Sequence, residues 1–206
     1  MPRITDAQRQ ANRETVLTAA RRCFSRNGFH QTSMPDIAAE AGMSTGAPYR
    51  YIAGKHELVA EIAHLAFMSL FGPVIELATE TASTAGIGDI VGYAVTALPA
   101  SDADGHPASE ELLRCAVDAW GEALRDEDLR AHALEAFNRV SSAIEIALER
   151  GQDVGTVSAD LDVASGARIV VALVHGFIVQ RTLFGLTDVD QFVRDVRGAL
   201  GAPHRA

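Results

Sequence analysis

Apolar residues recur along this chain at three- and four-residue intervals and never settle into strict alternation, so the pattern predicts helices throughout and no strand. The first stripe, Val16, Ala20, Cys23 and Phe24, belongs to a helix over 6–27 that Gly28 stops, with Arg13, Arg21, Arg22 and Arg26 mostly outward. Residues 1–10 read as a polar arm carrying Arg3 and Arg9. From Lys55 a stripe of Leu58, Ile62, Leu65 and Met68 runs to about Phe71, where Gly72 and Pro73 are expected to break or kink the helix. Helices over 74–84 and 87–98 follow, and the Pro-, Asp- and Ser-rich segment 99–109 is the clearest loop. Leu112, Leu113, Ala116, Trp120 and Leu124 mark a helix over 111–125. Leu129, Ala133, Phe137, Val140, Ile144, Ala147 and Leu148 mark a long one from Asp128 to a stop at Gly151. The segment 162–184 is apolar on nearly all sides between 169 and 179, with small Ala172 and Gly176 in its middle. A soluble helix of that kind is buried all round, and in so short a chain a partner subunit has to cover one side. A final helix over 188–200 carries Val189, Phe192, Val193, Val196 and Leu200.

Between the first helix and Lys55 the pattern shortens. Ser33 is a good N-cap, with Asp36 three residues on and Pro35 tolerated in the first turn. Ile37, Ala38 and Ala41 share an inward face, and Gly42 can take the positive φ of a C′ residue. Ser44 can cap a second short helix, Thr45 to Tyr51, after a three-residue turn. That is the layout of a helix-turn-helix, whose second helix can lie in a DNA major groove. Thr45, Gly46 and Ala47 are small enough for close approach to base edges, and Tyr49, Arg50 and Tyr51 supply donors for phosphates or guanine. Lys55, the single lysine among 18 basic residues, opens the next helix, where its ammonium can share a phosphate with the local N–H groups.

These residues carry a resemblance. Ala19, Ala20, Cys23, Phe24, Gly28, Phe29, Thr32, Ser33, Ile37, Ala38, Ala41, Gly42, Met43, Ser44, Gly46, Tyr49, Tyr51, Ile52, Lys55, Glu57 and Leu58, at their spacing, resemble the DNA-binding domain of the TetR (tetracycline-repressor) family. The match covers about residues 8–70, roughly a third of the chain. Pro48 stands where the family usually has Leu, Val or Ile, and Gly54 where it often has a Ser cap. The resemblance implies an all-α chain. An N-terminal three-helix helix-turn-helix DNA-binding domain would occupy 1–54, with the helix-turn-helix at about 33–52. A helical ligand-binding and dimerisation domain would occupy 55–206, its last two long helices building a dimer four-helix bundle. The N-terminal arm would touch phosphate or the minor groove.

The partners implied are double-stranded palindromic operator DNA, a second copy of the chain, and an unidentified small apolar or aromatic effector. Thr45, Gly46, Ala47 and Arg50 would read bases, next to the cap Ser44. Ser33, Tyr49, Tyr51 and Lys55 would position phosphates. An effector cavity, hollowed in the body as the family does, would draw on Phe67, Phe71, Tyr93, Trp120, Phe137 and His175, although each aromatic taken singly is more often core. His175, inside an apolar helix, must find a partner, either as a satisfied core or interface histidine or as a pocket donor. The alternative function is an effector-independent activator or architectural DNA-binding protein.

Charge sharpens this reading. The net charge of −9 argues at first against nucleic acid, but residues 1–58 hold eight Arg and Lys against five Asp and Glu, or +3. Residues 59–206 hold ten against twenty-two, or −12. A basic head on an acidic body suits a DNA reader with a separate regulatory part. Cys23 and Cys115 show no metal or redox spacing, and Cys23 reads as a core thiol. No signal peptide opens the chain, and the apolar run 169–179 is too short to span a bilayer, so a soluble, cytoplasmic protein without a membrane partner is expected. Neither a catalytic set, a cofactor motif nor a metal site is expected: His132 and Glu135 form one i, i+3 pair without a second, and the acidic run Asp126–Asp128 reads as helix capping.

Overall fold

A computed structural model of the chain describes residues 5–79, 85–97, 108–186 and 188–200. Among these there are eight α-helices, one 3-10 turn and no strand, so the described structure is all-helical, as the spacing predicts. The helices are α1 (Asp6–Gln31), α2 (Met34–Glu40), α3 (Lys55–Thr79), α4 (Ile87–Thr96), α5 (Ala108–Ala123), α6 (Glu127–Val154), α7 (Val163–Phe184) and α8 (Val189–Leu200). The expected loop over 99–109 falls mostly outside the described residues, as do Arg3 and the end of the expected helix 74–84. The chain forms two compact units, 1–66 with 101–129 and 67–100 with 130–206, and α3 runs from the first into the second.

In the first unit α1, α2, the start of α3 and α5 enclose Val16, Ala20, Cys23, Phe24, Phe29, Ile37, Ile52, Leu58, Ile62 and Cys115. Gly28, at φ 74°, interrupts α1 and lets Phe29 turn back edge-on against Phe24, ring centres 4.8 Å apart. Buried Thr32 satisfies its hydroxyl on the Gly28 carbonyl at 2.9 Å. α1 opens at Asp6 as expected, capped by Thr5, so residues 6–10, also read as part of a polar arm, are its first turns. The arginines of α1 are also less free than their outward placement suggests. Arg13 pairs with Glu57 and Glu61 of α3, Arg26 with Glu40, and half-buried Arg21 with Glu111 of α5 at 2.9 Å. Sequence spacing could not reveal these partners, which lie on other elements. Cys23 is a core thiol as expected, and burial pushes the Cys115 thiol up to about 12, so neither is a reactive thiolate at neutral pH.

In the second unit α4 lies against α7 and α8. Gly88 permits the α4–α8 approach: a Cβ there would stand 2.6 Å from the Arg197 Cγ and 3.1 Å from its Cα. Arg197 also pairs with Asp89 at 2.8 Å. Gly88→Ala is expected to destabilise the chain by ~1–3 kcal/mol through overpacking. Gly121→Ala, whose Cβ would meet nothing within 4 Å, should leave stability unchanged or raise it by up to ~1 kcal/mol. Urea denaturation of both variants checks the contrast.

Neither a break at Pro73 nor a stop at Gly151 is found. Pro73 lies inside α3, which continues to Thr79 because Leu70, Phe71, Val74 and Leu77 carry its buried stripe past the missing donor. Gly151 lies inside α6, and the chain leaves the helix at Gly155, φ 80°. Gly151 is small for a packing reason, since a Cβ would stand 2.5 Å from the Val157 Cγ2. The Asp126–Asp128 run caps α6, with the Leu129 N–H donating to Asp126 at 2.9 Å. Residues 55–78 of α3 and all of α7 are long and apolar enough to cross a bilayer by length and composition alone. The expectation from the run 169–179 missed this because it stopped at the flanking arginines, and core helices of soluble proteins pass the same test. Nor is α7 buried all round within the chain: Ile169, Ala172, Leu183 and Phe184 are exposed.

Candidate nucleic-acid interface

The segment from Ser33 to Lys55 is built as a helix-turn-helix with a shortened second arm. Ser33 caps α2 in a full capping box: its Oγ accepts from the Asp36 N–H at 3.3 Å, and its own N–H donates to the Asp36 carboxylate at 2.8 Å. The Ser33 hydroxyl donates to the same carboxylate at 2.6 Å. Those bonds, hydroxyl first, hold the Asp36 carboxyl below its usual range. The hydrogen that Ser33 would offer a phosphate is therefore already engaged by an anion.

Gly42 ends α2 at φ 65°, a conformation that costs a residue with Cβ, and the Met43 N–H closes back on the Ala38 carbonyl at 2.8 Å. The expected second helix over 45–51 is instead a turn followed by a 3-10 turn, Pro48–Arg50. Its bonds span three residues: the Ala47 N–H to Ser44 at 2.8 Å, Arg50 to Ala47 at 3.1 Å and Tyr51 to Pro48 at 2.9 Å. Pro48 has no N–H to return to Ser44, and Gly46 is a weak helix former, so no α ladder forms over 45–51. The 3-10 cap position is Ala47, with no side-chain cap bond, so Ser44 is not the N-cap that the spacing suggests.

Pro48 and Ile52 are buried and pin the segment to the head. Ser44, Thr45, Gly46, Tyr49 and Arg50 are exposed, and Ala47 and Tyr51 are half-buried. Among the described residues no carboxylate pairs with the Arg50 guanidinium. The Arg50 carbonyl accepts from Arg9 Nη2 at 3.4 Å, and the Tyr51 hydroxyl accepts from Asn12 Nδ2 at 2.8 Å. Asn12 lies 39 residues from Tyr51 on a face with no distinguishing pattern, so nothing in the spacing points to it. Gly54 sits at the cap of α3, its carbonyl accepting from the Leu58 N–H at 3.3 Å, while Glu57 takes the Ala53 N–H at 2.6 Å. Lys55 opens α3 as expected, its ammonium 3.4 Å from the His30 carbonyl in the last turn of α1. The segment thus presents to solvent a guanidinium, a phenol and a glycine that lets a backbone approach closely, with the Lys55 ammonium at the start of the next helix, a set of groups that fits base edges and phosphates.

The effector candidates fall into two groups. In the second unit Phe67 and Phe71 are 5.2 Å apart, and Phe71 meets His175 edge-on at 6.2 Å. Phe137 is half-buried and Tyr93 is 51% exposed, so Tyr93 faces solvent more than an interior. Half-buried Trp120 belongs to the first unit. Burial holds the His175 imidazole below the ordinary histidine value. The folded chain keeps it neutral, so stability should fall as pH drops through the unfolded value of about 6.5, where only the unfolded chain takes up the proton. His175→Phe should lose less of its melting temperature than the wild type between about pH 7 and 5. Parallel melts at several pH values check this.

Two family models match the chain. One, described as bacterial regulatory proteins of the tetR family, covers residues 16–62. The other, the C-terminal part of BetI-type transcriptional repressors, covers residues 97–202. The HTH-type transcriptional regulator UidR of Escherichia coli K12 is 24% identical over 192 residues, 93% of this chain and 92% of that protein. Salmonella enterica GusR superposes with a TM-score of 0.70 at 21% identity, covering 97% of this chain and 99% of its own. SmeT, the repressor of the Stenotrophomonas maltophilia efflux pump SmeDEF, gives 0.69 at 23% identity and covers 95% and 93%. SmeT is also solved in complex with triclosan.

Proposed function

This chain belongs to the TetR family of bacterial transcriptional regulators, and on that premise we propose that it is a homodimeric repressor released from its operator by a small apolar or aromatic effector. The family is one of non-enzymatic DNA-binding proteins, and the observation that carries the finer reading is the exposed face of the 44–55 segment on a finished, capped head. Thr45, Gly46, Ala47 and Arg50, beside Ser44, read base edges in the major groove; Tyr49, Tyr51 and Lys55 hold phosphates. Ser33 serves this face through the capping box, and it reaches a phosphate only by giving up its bond to Asp36. In the division proposed, residues 1–54 read DNA and 55–206 bind effector and partner.

The dimer rests on the uncovered face of α7, where Ile169, Ala172 and Leu183 recur at helical spacing beside Gly176. The effector reading is supported by SmeT, solved with triclosan, and by the ring cluster of Phe67, Phe71 and His175, with half-buried Phe137 as a further candidate in the same unit. Effector binding favours a head separation that no longer matches the operator, a population shift set by its differential affinity for the two states. A soluble DNA-binding protein of this kind works in the cytoplasm and needs no membrane. The test is a thermal-shift screen of the purified protein against a small-molecule library, each stabilising compound then added to a protein–DNA complex. A compound that raises the melting temperature and releases DNA establishes the effector-gated repressor. DNA binding with no such compound moves the protein to the effector-independent class.

A further inference from the structure

We propose that Asn12 is a positioning residue that aims the Tyr51 hydroxyl at a DNA phosphate. The inference rests on the DNA-reading assignment of the 44–55 segment and concerns how that segment is held. Having closed no α-helical ladder of its own, the segment relies for its placement on buried Pro48 and Ile52 and on the first turns of α1. There a short relay runs between side chains. Gln8 Nε2 donates to Asn12 Oδ1 at 3.1 Å, and Asn12 Nδ2 donates to the Tyr51 hydroxyl oxygen at 2.8 Å. With Gln8 donating to the Asn12 oxygen, the Asn12 N–H is the end that meets Tyr51. The Gln8 backbone is fixed in turn by the Thr5 cap at 3.2 Å.

The consequence is directional. A phenol has one hydrogen, and an oxygen that accepts from Asn12 must send that hydrogen elsewhere. The Tyr51 ring packs against the head core, and among the described residues nothing accepts its hydrogen. The hydroxyl is left as a pre-aimed donor, next in the chain to Arg50. One helical turn of α1 also steadies the backbone at this point, through Arg9 Nη2 on the Arg50 carbonyl at 3.4 Å. A phosphate oxygen on the groove edge is an acceptor that matches such a donor, and pre-aiming removes the cost of ordering the rotor on binding.

The test is a double-mutant cycle on the full chain, reading the dissociation constant for a fluorescein-labelled duplex that the wild-type protein enriches from a random-sequence pool. Tyr51→Phe is expected to weaken binding by about tenfold, one charge-assisted hydrogen bond. Asn12→Ala should weaken it by about three- to tenfold when Tyr51 is present and leave it unchanged when combined with Tyr51→Phe. A merely structural Asn12 would cost the same in both backgrounds, so multiplying losses overturn the proposal, as does an Asn12→Ala variant that binds like wild type. Ala is a good helix former at this partly exposed site, so both variants should fold, and matching melting temperatures confirm that binding alone has changed. A wild-type protein that enriches no duplex overturns the DNA-reading assignment itself and this inference with it, a result distinct from multiplying losses.

Discussion

Ala172→Arg is expected to convert the protein into folded monomers and to weaken operator binding by about a hundredfold or more. Ala172 is exposed in the single chain, so a longer side chain meets no clash within its own unit. It sits three residues after Ile169 and four before Gly176, in the middle of the exposed α7 face proposed to pack against a second copy. Two α7 helices packed there would have to bury a guanidinium without an acceptor, a penalty large enough to dissolve an ordinary dimer interface. Without the dimer each head binds its half-site alone, and the effective concentration that links the two sites disappears, typically a factor of about 10²–10⁴. Sedimentation equilibrium reads the dissociation and fluorescence anisotropy reads the binding. A variant that stays dimeric at micromolar concentration would place the interface elsewhere.

The second large effect lies in the other unit. Phe24 is fully buried and packs edge-on against Phe29, so Phe24→Ala is expected to destabilise the head by ~3–5 kcal/mol. Against a typical total of about 5–15 kcal/mol, that melts the head or leaves it marginal at physiological temperature. DNA binding should be lost while the dimer persists, because α7 and α8 belong to the unit that Phe24 does not support. Circular dichroism melts and sedimentation on the same sample separate the two outcomes. Loss of the dimer together with the head would show that the units do not hold independently. A milder prediction concerns charge: Lys55→Ala should weaken binding to specific and random duplexes alike and flatten the salt slope by about one unit.

What was legible in the chain follows from the range of the interactions involved. The capping box of α2, the Gly42 turn and the start of α3 at Lys55 depend on neighbours within four residues, and spacing found them all. The buried face of α1 was legible for the same reason, and that of α6 in part, since Ala133 of its expected stripe is exposed and Phe137 only half-buried. The misjudged features depend on distant partners or on competition between local rules. Pro73 and Gly151 carry stop signals that longer-range burial overrides, while Pro48 and Gly46 prevail over a helix that the motif suggests. The ion pairs of Arg13, Arg21 and Arg26, and the link from Asn12 to Tyr51, join residues up to 90 positions apart and leave no periodic trace. The same limit applies to the candidate effector residues. Aromatic side chains look alike in sequence whether they fill a core or face solvent, and only the contacts set Phe67, Phe71 and His175 apart from exposed Tyr93.

The measurement that bears most directly on the central claim is the sequence of the DNA that the wild-type protein selects from a random pool. A homodimer that inserts two copies of the 44–51 segment into one face of a duplex predicts an inverted repeat, with half-site centres about one helical turn apart, ~34–36 Å. Selected duplexes that share a single unrepeated element, or a pool that emerges without enrichment, would contradict a dimeric operator reader.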